Sequence, residues 1–552
     1  MHGSGRPAVI DGPGGTGRAG HFTAVQPPGH AELSGPWLPL LPAVLTLLAG
    51  LYRISGPSFS KDETATLAAV HRSFPQLIRM LGHVDVVHGA YYVLIWVVAR
   101  AAGGSSELIV RLPSALAMAA AAYVVTLLGR RLVSGWAGLA AGLIFAILPS
   151  VSAYAQDARE GAILAALAAT ASYCLIRAAD AGPGRGARGR RGWLAGYGVT
   201  LALLGFGNLF ALLLVPAHAL TLALLARGDG PQEPPAARRL GGNTPAARPA
   251  SPARHGPPDR GLVRGWLIAV AVAAIAVSPV AVAGYSQLHQ IRWIQPPDLE
   301  DVLSVQRLLG RTTLVLASLA AVAAAVGYTA ARHVPLGRYW PGRLVALCLP
   351  WLILPPVVLL TASLIHPVYT FRYIVFCIPA AALLIGPALA ALGRYAGPAV
   401  LIALLVIGLP AQTFERSAVG HGLNIRLADR IVARQHRPGD ALLNVSARSG
   451  PGKGTGEHTL EAAYPYGLAR LRDISTGLSP QQSGTLGGTY VPSRVIRARA
   501  ATVRRLWVVE WTSPWPVPIL DGLGFRLVHH WDIQGLWLRL YARDAGPRHP
   551  AR

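Results

Sequence analysis

Two adjacent carboxylates, Asp62 and Glu63, directly follow the first long apolar run of the chain, about Trp37–Ile54. Acids at the mouth of a membrane span are costly to place and mark function. A carboxylate there can take a proton from a hydroxyl, provided burial or a nearby anion raises its basicity. The stretch Ser58–Thr64 also reads as a helix start, with Ser60 or Asp62 as N-cap and acids in the first turn. Capping and chemistry do not exclude each other. A second acidic stretch is Tyr154–Glu160, which carries Asp157 and Arg159. Asp62, Glu63 and Asp157 are the candidate catalytic carboxylates. His88, Tyr92, Arg159, Gln290, Trp293, Arg372 and Tyr373 are the candidate substrate-binding residues. Arginine clamps phosphate by a planar, two-pronged contact, which favours Arg372 and Arg159 as anion binders. The plainer alternatives are a snorkelling Arg372 and a local Asp157–Arg159 ion pair. His83, Asp85 and His88 have a weak metal-ligand spacing. Asp62, His83 and Asp157 are the candidate ligands should a divalent cation such as Mg or Mn take part.

The rest of the chain must bring these residues to one place. Of 552 residues, 52% are hydrophobic and 14% charged, and the mean hydropathy is +0.41. Soluble domains carry about 25% charged residues, so this reads as a polytopic membrane protein. The net charge is +25, but the basic residues sit mostly between apolar runs. That is the positive-inside pattern of cytoplasmic loops, not a nucleic-acid surface. Lys61 and Lys453 are the lysines; arginine supplies the remaining basic charge. With the Ala, Gly and Pro richness this points to a GC-rich bacterial genome and a bacterial plasma membrane. Cys174, Cys348 and Cys377 lie in apolar runs and read as small packing residues, not as disulfide or zinc partners.

Residues 1–35 read as a disordered cytoplasmic tail, and the first apolar run as a retained anchor. An exterior segment follows, from Arg53 to about Arg111. In it, Glu63–Leu81 has helical spacing of apolar residues. Ala90–Ala102 is apolar but shorter than the roughly twenty residues a spanning helix needs. Read as a juxtamembrane helix, it lets the following spans deliver every dense arginine cluster to the cytoplasm. Those spans are about 112–128, 136–155, 160–179, 193–205, 209–226, 266–284, 312–331, 344–364, 373–392 and 399–411. With the first run this gives about eleven spans. The Pro/Arg-rich stretch 227–264 reads as a flexible cytoplasmic loop. Residues 36–413 form the membrane domain. Residues 414–552 read as an exterior soluble α/β domain, with β-rich runs at Leu506–Val509 and Leu536–Tyr541.

Asp62-Glu63 after the first span, His88-Gly89-Ala90-Tyr91-Tyr92, and Arg111-Leu112-Pro113-Ser114 resemble the amino-terminal part of the GT-C glycosyltransferases. Tyr154–Arg159 and Pro367…Phe371-Arg372-Tyr373 resemble the same superfamily, family 39, the protein O-mannosyltransferase and aminoarabinose-transferase relatives. The similarity covers roughly residues 36–412. It implies an all-α polytopic bundle with juxtamembrane helices in the first exterior loop and a first-loop acid, Asp62, in the catalytic cavity. It also implies a sugar carried on polyprenyl phosphate as donor, an extracytoplasmic acceptor and inverting displacement. The readings of another class are a transporter or flippase and a non-catalytic scaffold. A transporter would place its polar residues near the midplane of interrupted, repeated helices.

Overall fold

The computed structural model describes residues 35, 37–181, 187–228, 260–445, 457–510 and 517–543. The tail 1–35 and the loop 227–264 lie, but for their ends, outside the described residues.

Among the described residues, eight helices are long and apolar enough to cross a membrane. In chain order, the helices are α1 (Leu40–Leu51), α2 (Lys61–Val70), α3 (Phe74–Leu81), α4 (Gly89–Ala102), α5 (Glu107–Leu132) and α6 (Gly135–Ile147). Next come α7 (Pro149–Ala155), α8 (Gly161–Asp180), α9 (Ala187–Gly207), α10 (Leu214–Gly228), α11 (Arg260–Ser286) and α12 (Leu299–Ser304). The bundle ends with α13 (Thr312–Ala331), α14 (Gly342–Ser363), α15 (Ile378–Ala391) and α16 (Gly393–Glu415). α6 and α7 are together long and apolar enough for a further span, with a 63° bend between them. The cause is Pro149: it lacks an N–H and drives Leu148 into an extended conformation (ψ 129°). α1 and α9 occupy the two remaining positions expected from the sequence. α1 is only 12 residues long. α4 has 14 residues and falls short of a spanning length, as its apolar run implied.

The stretch Glu63–Leu81 differs from its sequence pattern. Its helical periodicity is continuous, yet the chain breaks at His71–Ser73 into α2 and α3. Ser73 and Gln76 form a capping box and Pro75 sits in the first turn, so α3 has its own start signal.

The bundle packs by small residues. A Cβ on Gly129 would lie 2.6 Å from the Gly138 Cα, and one on Gly386 2.5 Å from the Ala141 backbone. These glycines let α5, α6 and α15 approach backbone to backbone, the usual device where lipid supplies no hydrophobic drive between helices. α15 with the 3-10 turn Phe371–Cys377 forms the most buried span.

The C-terminal unit opens with α17 (Ile425–Gln435) and holds β1 (Ala441–Val445), β2 (Arg472–Asp473), β3 (Arg505–Glu510), β4 (Phe525–Ile533) and β5 (Leu536–Arg543). The order is β2-β1-β3-β5-β4, with the first three parallel and the last two antiparallel. Both β-rich runs read from the sequence are strands. Alternation along β3 sends Leu506 and Val508 into one core and Trp507 and Val509 into another. The second core also contains Phe59, Leu67 and Tyr92, so the sheet packs on the segment that follows α1.

Candidate active site

The Ser58–Thr64 stretch is a helix start, as its residue types imply. Ser60 is the N-cap of α2 and Glu63 completes the capping box: Ser60 N donates to Glu63 Oε2 at 2.8 Å, and Glu63 N to Ser60 Oγ at 3.1 Å. The two acids then point to different places, because neighbours on a helix are about 100° apart.

Glu63 points inward and is fully buried. Arg111, near the start of α5, donates Nε to Oε1 at 2.7 Å and Nη2 to Oε2 at 2.8 Å. Ala158 N adds a bond to Oε1 at 2.9 Å, and His421 Nδ1 stands 3.4 Å from Oε2. Burial alone would raise this carboxyl, but the Arg111 guanidinium holds it well below the usual range. Grouped from the sequence with the catalytic candidates, Glu63 instead has both oxygens engaged and offers no free edge to a substrate.

Asp62 points the other way and is partly exposed, its side chain 37% accessible, and it pairs with Arg372 Nη1. Arg372 is carried there by the 3-10 turn that precedes α15. The neighbouring Tyr373 packs on Phe210 at 4.9 Å between ring centroids, and Phe371 on Tyr154 at 6.4 Å. A carboxylate from the first inter-helix segment and a guanidinium from the last quarter of the bundle thus meet in one partly exposed pair.

The turn between α7 and α8 supplies the remaining charged residues. Asp157 lies beside Glu63; burial, reinforced by the Glu63 charge, pushes its carboxyl up to about 8. Glu160 is held down to about 2: burial opposes ionisation, but His88 and Arg159 outweigh it. His88 Nδ1 lies 3.3 Å from Glu160 Oε1, and Arg159 Nη1 donates to Tyr92 Oη at 3.2 Å. Tyr92 in turn donates to Asp85 Oδ2 at 2.8 Å. His88, Tyr92, Arg159 and Asp157 therefore do gather at one end of the bundle.

Gln290 accepts from Asp85 N at 3.1 Å, and Gln287 from Val86 N at 3.0 Å, so both hold the backbone of the turn before α4. Trp293 is 53% exposed on the segment between α11 and α12. His83 is exposed and bonds its own helix, Nδ1 to Arg79 O at 2.8 Å.

The three candidate metal ligands do not assemble. Among the described residues the group with ligand spacing is Glu63, Asp157 and His421, within 4.8 Å of one another. Arg111 already takes both Glu63 oxygens, so an ion there would have to displace a guanidinium. The donor set fits the arginine rather than a metal.

Sequence reasoning missed two members of this cluster as site residues, Arg111 and His421. Arg111 carried a signal, since a charge at the start of an apolar helix needs a partner. His421 carried none: its contact with Glu63 spans 358 positions.

Residues 88–230 match the family model described as dolichyl-phosphate-mannose-protein mannosyltransferase. No curated protein matches the chain. The crystal structure of ArnT from Cupriavidus metallidurans in the apo state superposes with a TM-score of 0.57. It is 14% identical and covers 91% of this chain and 97% of its own. The same protein bound to undecaprenyl phosphate gives a TM-score of 0.53 at 14% identity, with the same coverage of 91% and 97%. The fold defines a multi-pass membrane protein of the GT-C architecture. The chain shares the fold of ArnT, and within it residues 88–230 match the mannosyltransferase family model.

Proposed function

We propose that the chain transfers a sugar from a polyprenyl-phosphate donor to an acceptor outside the cytoplasm. The observation that carries the reading is the Asp62–Arg372 pair, a carboxylate beside a guanidinium, both partly exposed. In the reaction, Asp62 takes the proton of an acceptor hydroxyl, whose oxygen bonds to the anomeric carbon of the donor sugar. The bond from that carbon to the phosphate oxygen breaks, and the polyprenyl phosphate leaves as an anion stabilised by Arg372. Arg372 and Asp62 also neutralise each other before substrate enters, so donor phosphate exchanges one anionic partner of the guanidinium for another. Arg159, His88 and Tyr92 flank the same end of the bundle and suit the donor sugar or its phosphate. The hexose or pentose class suits the site; mannose has the support of the family match alone. No step is routed through a divalent ion.

The arginine distribution supports an orientation with the Asp62 end and the C-terminal unit outside a bacterial plasma membrane. A transporter reading fits less well, because the polar cluster sits at one end of the bundle and not at its midplane. The test is a transfer assay with labelled polyprenyl-phosphate sugar and purified chain in lipid nanodiscs. Wild type should release polyprenyl phosphate and label an acceptor. Equal transfer by Asp62→Asn sinks the assignment of the base.

A further inference from the structure

A cavity of about 640 Å³ opens between the C-terminal unit and the segment after α1. Ligand sites occupy about 300–1,000 Å³. Its walls follow from local chemistry. Asp429 on α17 accepts Gly467 N at 2.8 Å and Leu468 N at 2.9 Å, which pins the 464–469 loop over the helix. Glu107 accepts from Arg426 at 2.8 Å and from Tyr464 Oη at 3.0 Å, which closes the floor. Phe59 and Tyr464 line the interior, and Tyr466 and Arg430 stand exposed at the rim. Glu461 also lines it, its Oε1 accepting from Asn444 Nδ2 at 3.0 Å. Burial, with the Asp473 charge, pushes the Glu461 carboxyl well above the usual range.

Aromatic faces beside planar hydrogen-bonding groups are what a sugar ring requires, since it presents C–H faces and a rim of hydroxyls. A peptide bound by strand addition needs a free strand edge. Here the lining comes from α5, α17, two 3-10 turns and loops. We propose that this cavity is a saccharide subsite that holds a neutral oligosaccharide segment of the acceptor, apart from the reacting hydroxyl. Neither Asp62 nor Arg372 lines it. The role of the bound saccharide as acceptor rests on the glycosyl-transfer reading; the binding itself does not.

The test uses the full chain in nanodiscs, with maltohexaose, mannohexaose and arabinohexaose as probes in saturation-transfer NMR. At least one should bind, with signals that weaken about fivefold or more in Ala469→Trp, which fills the cavity, and in Tyr466→Ala, which removes a rim ring. Both variants change exposed residues, and undecaprenyl-phosphate binding is the control for folding. Asp62→Asn should bind the probe as wild type does. Failure of all three probes, or unchanged binding by both cavity variants, overturns the subsite. Displacement of a bound probe by an unglycosylated Ser/Thr peptide also overturns it. Probe binding without any sugar transfer sinks the proposed activity and leaves the subsite standing.

Discussion

Glu63 and Arg111, fully buried and 48 positions apart, meet in a two-pronged contact of 2.7 and 2.8 Å. The pair fixes α2 on α5 and so decides where the neighbouring Asp62 points. Removing one partner of a buried pair costs about 3–5 kcal/mol, because a charge is left without compensation. Glu63→Gln and Arg111→Met should each lower thermal unfolding in detergent markedly. The double variant should lose much less than the sum of the two. Additive losses would show that the pair does not act as a unit.

Asp62→Asn should lower transfer by roughly 10²–10⁴-fold, the usual worth of a general base. Thermal unfolding should hardly move, because Asp62 is partly exposed. Its capping neighbour Ser60 stays in place. A comparable drop in stability would return Asp62 to a structural role.

Arg372→Lys keeps the charge and loses the planar fork. Transfer should fall about tenfold or more, with Arg372→Ala worse, as the leaving phosphate loses its clamp. Donor binding measured alongside, with undecaprenyl phosphate, should weaken in the same order. A lysine variant with full activity would reduce Arg372 to a snorkelling residue.

The Asp157 carboxyl is raised from 3.8 to about 8 by burial and by Glu63. The folded chain therefore binds this proton more tightly than the unfolded chain does. Its contribution to stability is complete below about pH 4, declines as pH rises, and is gone once pH passes about 8. Asp157→Asn lacks that decline. The difference in unfolding temperature, variant minus wild type, should grow from pH 5 to pH 8 and then level off. A difference that stays flat across this range would show that the carboxyl is not raised.

Chelation is the remaining check. Since Arg111 occupies the oxygens that an ion would need, EDTA should leave transfer and thermal unfolding unchanged. A loss restored by Mg or Mn would show that the guanidinium yields to a cation.

The bundle was legible because lipid imposes a length on each span and arginines cluster between the apolar runs. Asp62, Asp157, Arg159 and Arg372 could be gathered for the same reason: spans alternate, so loops at one end share a face. Less legible was what depends on direction rather than side. Asp62 and Glu63 are adjacent in the chain, yet one is buried and the other open, and only the partner Arg111 decides which. Gln290 read as a cavity residue but spends its carbonyl on Asp85 N. The metal trio failed for a related reason: three residue types facing one side need not converge on a point. The break at His71–Ser73 was hidden because α2 and α3 keep the same apolar phase across it. His421 and Tyr464 were invisible, as nothing local to either names a partner some 358 or 405 positions away.

Arg72 carries a last consequence. It is buried after α2 and donates Nη2 to the carbonyl of Thr485, 413 positions later. At about 5–20 residues per second of synthesis, that acceptor emerges roughly 20–80 s after the arginine does. For this interval the segment around Asp62 has no Tyr464, His421 or Thr485 to close it. The membrane bundle is thus made before its reactive end is finished. A chain so built closes this end only once Thr485 has emerged, and a ribosome stalled before that point would leave inserted spans without the Arg72 contact.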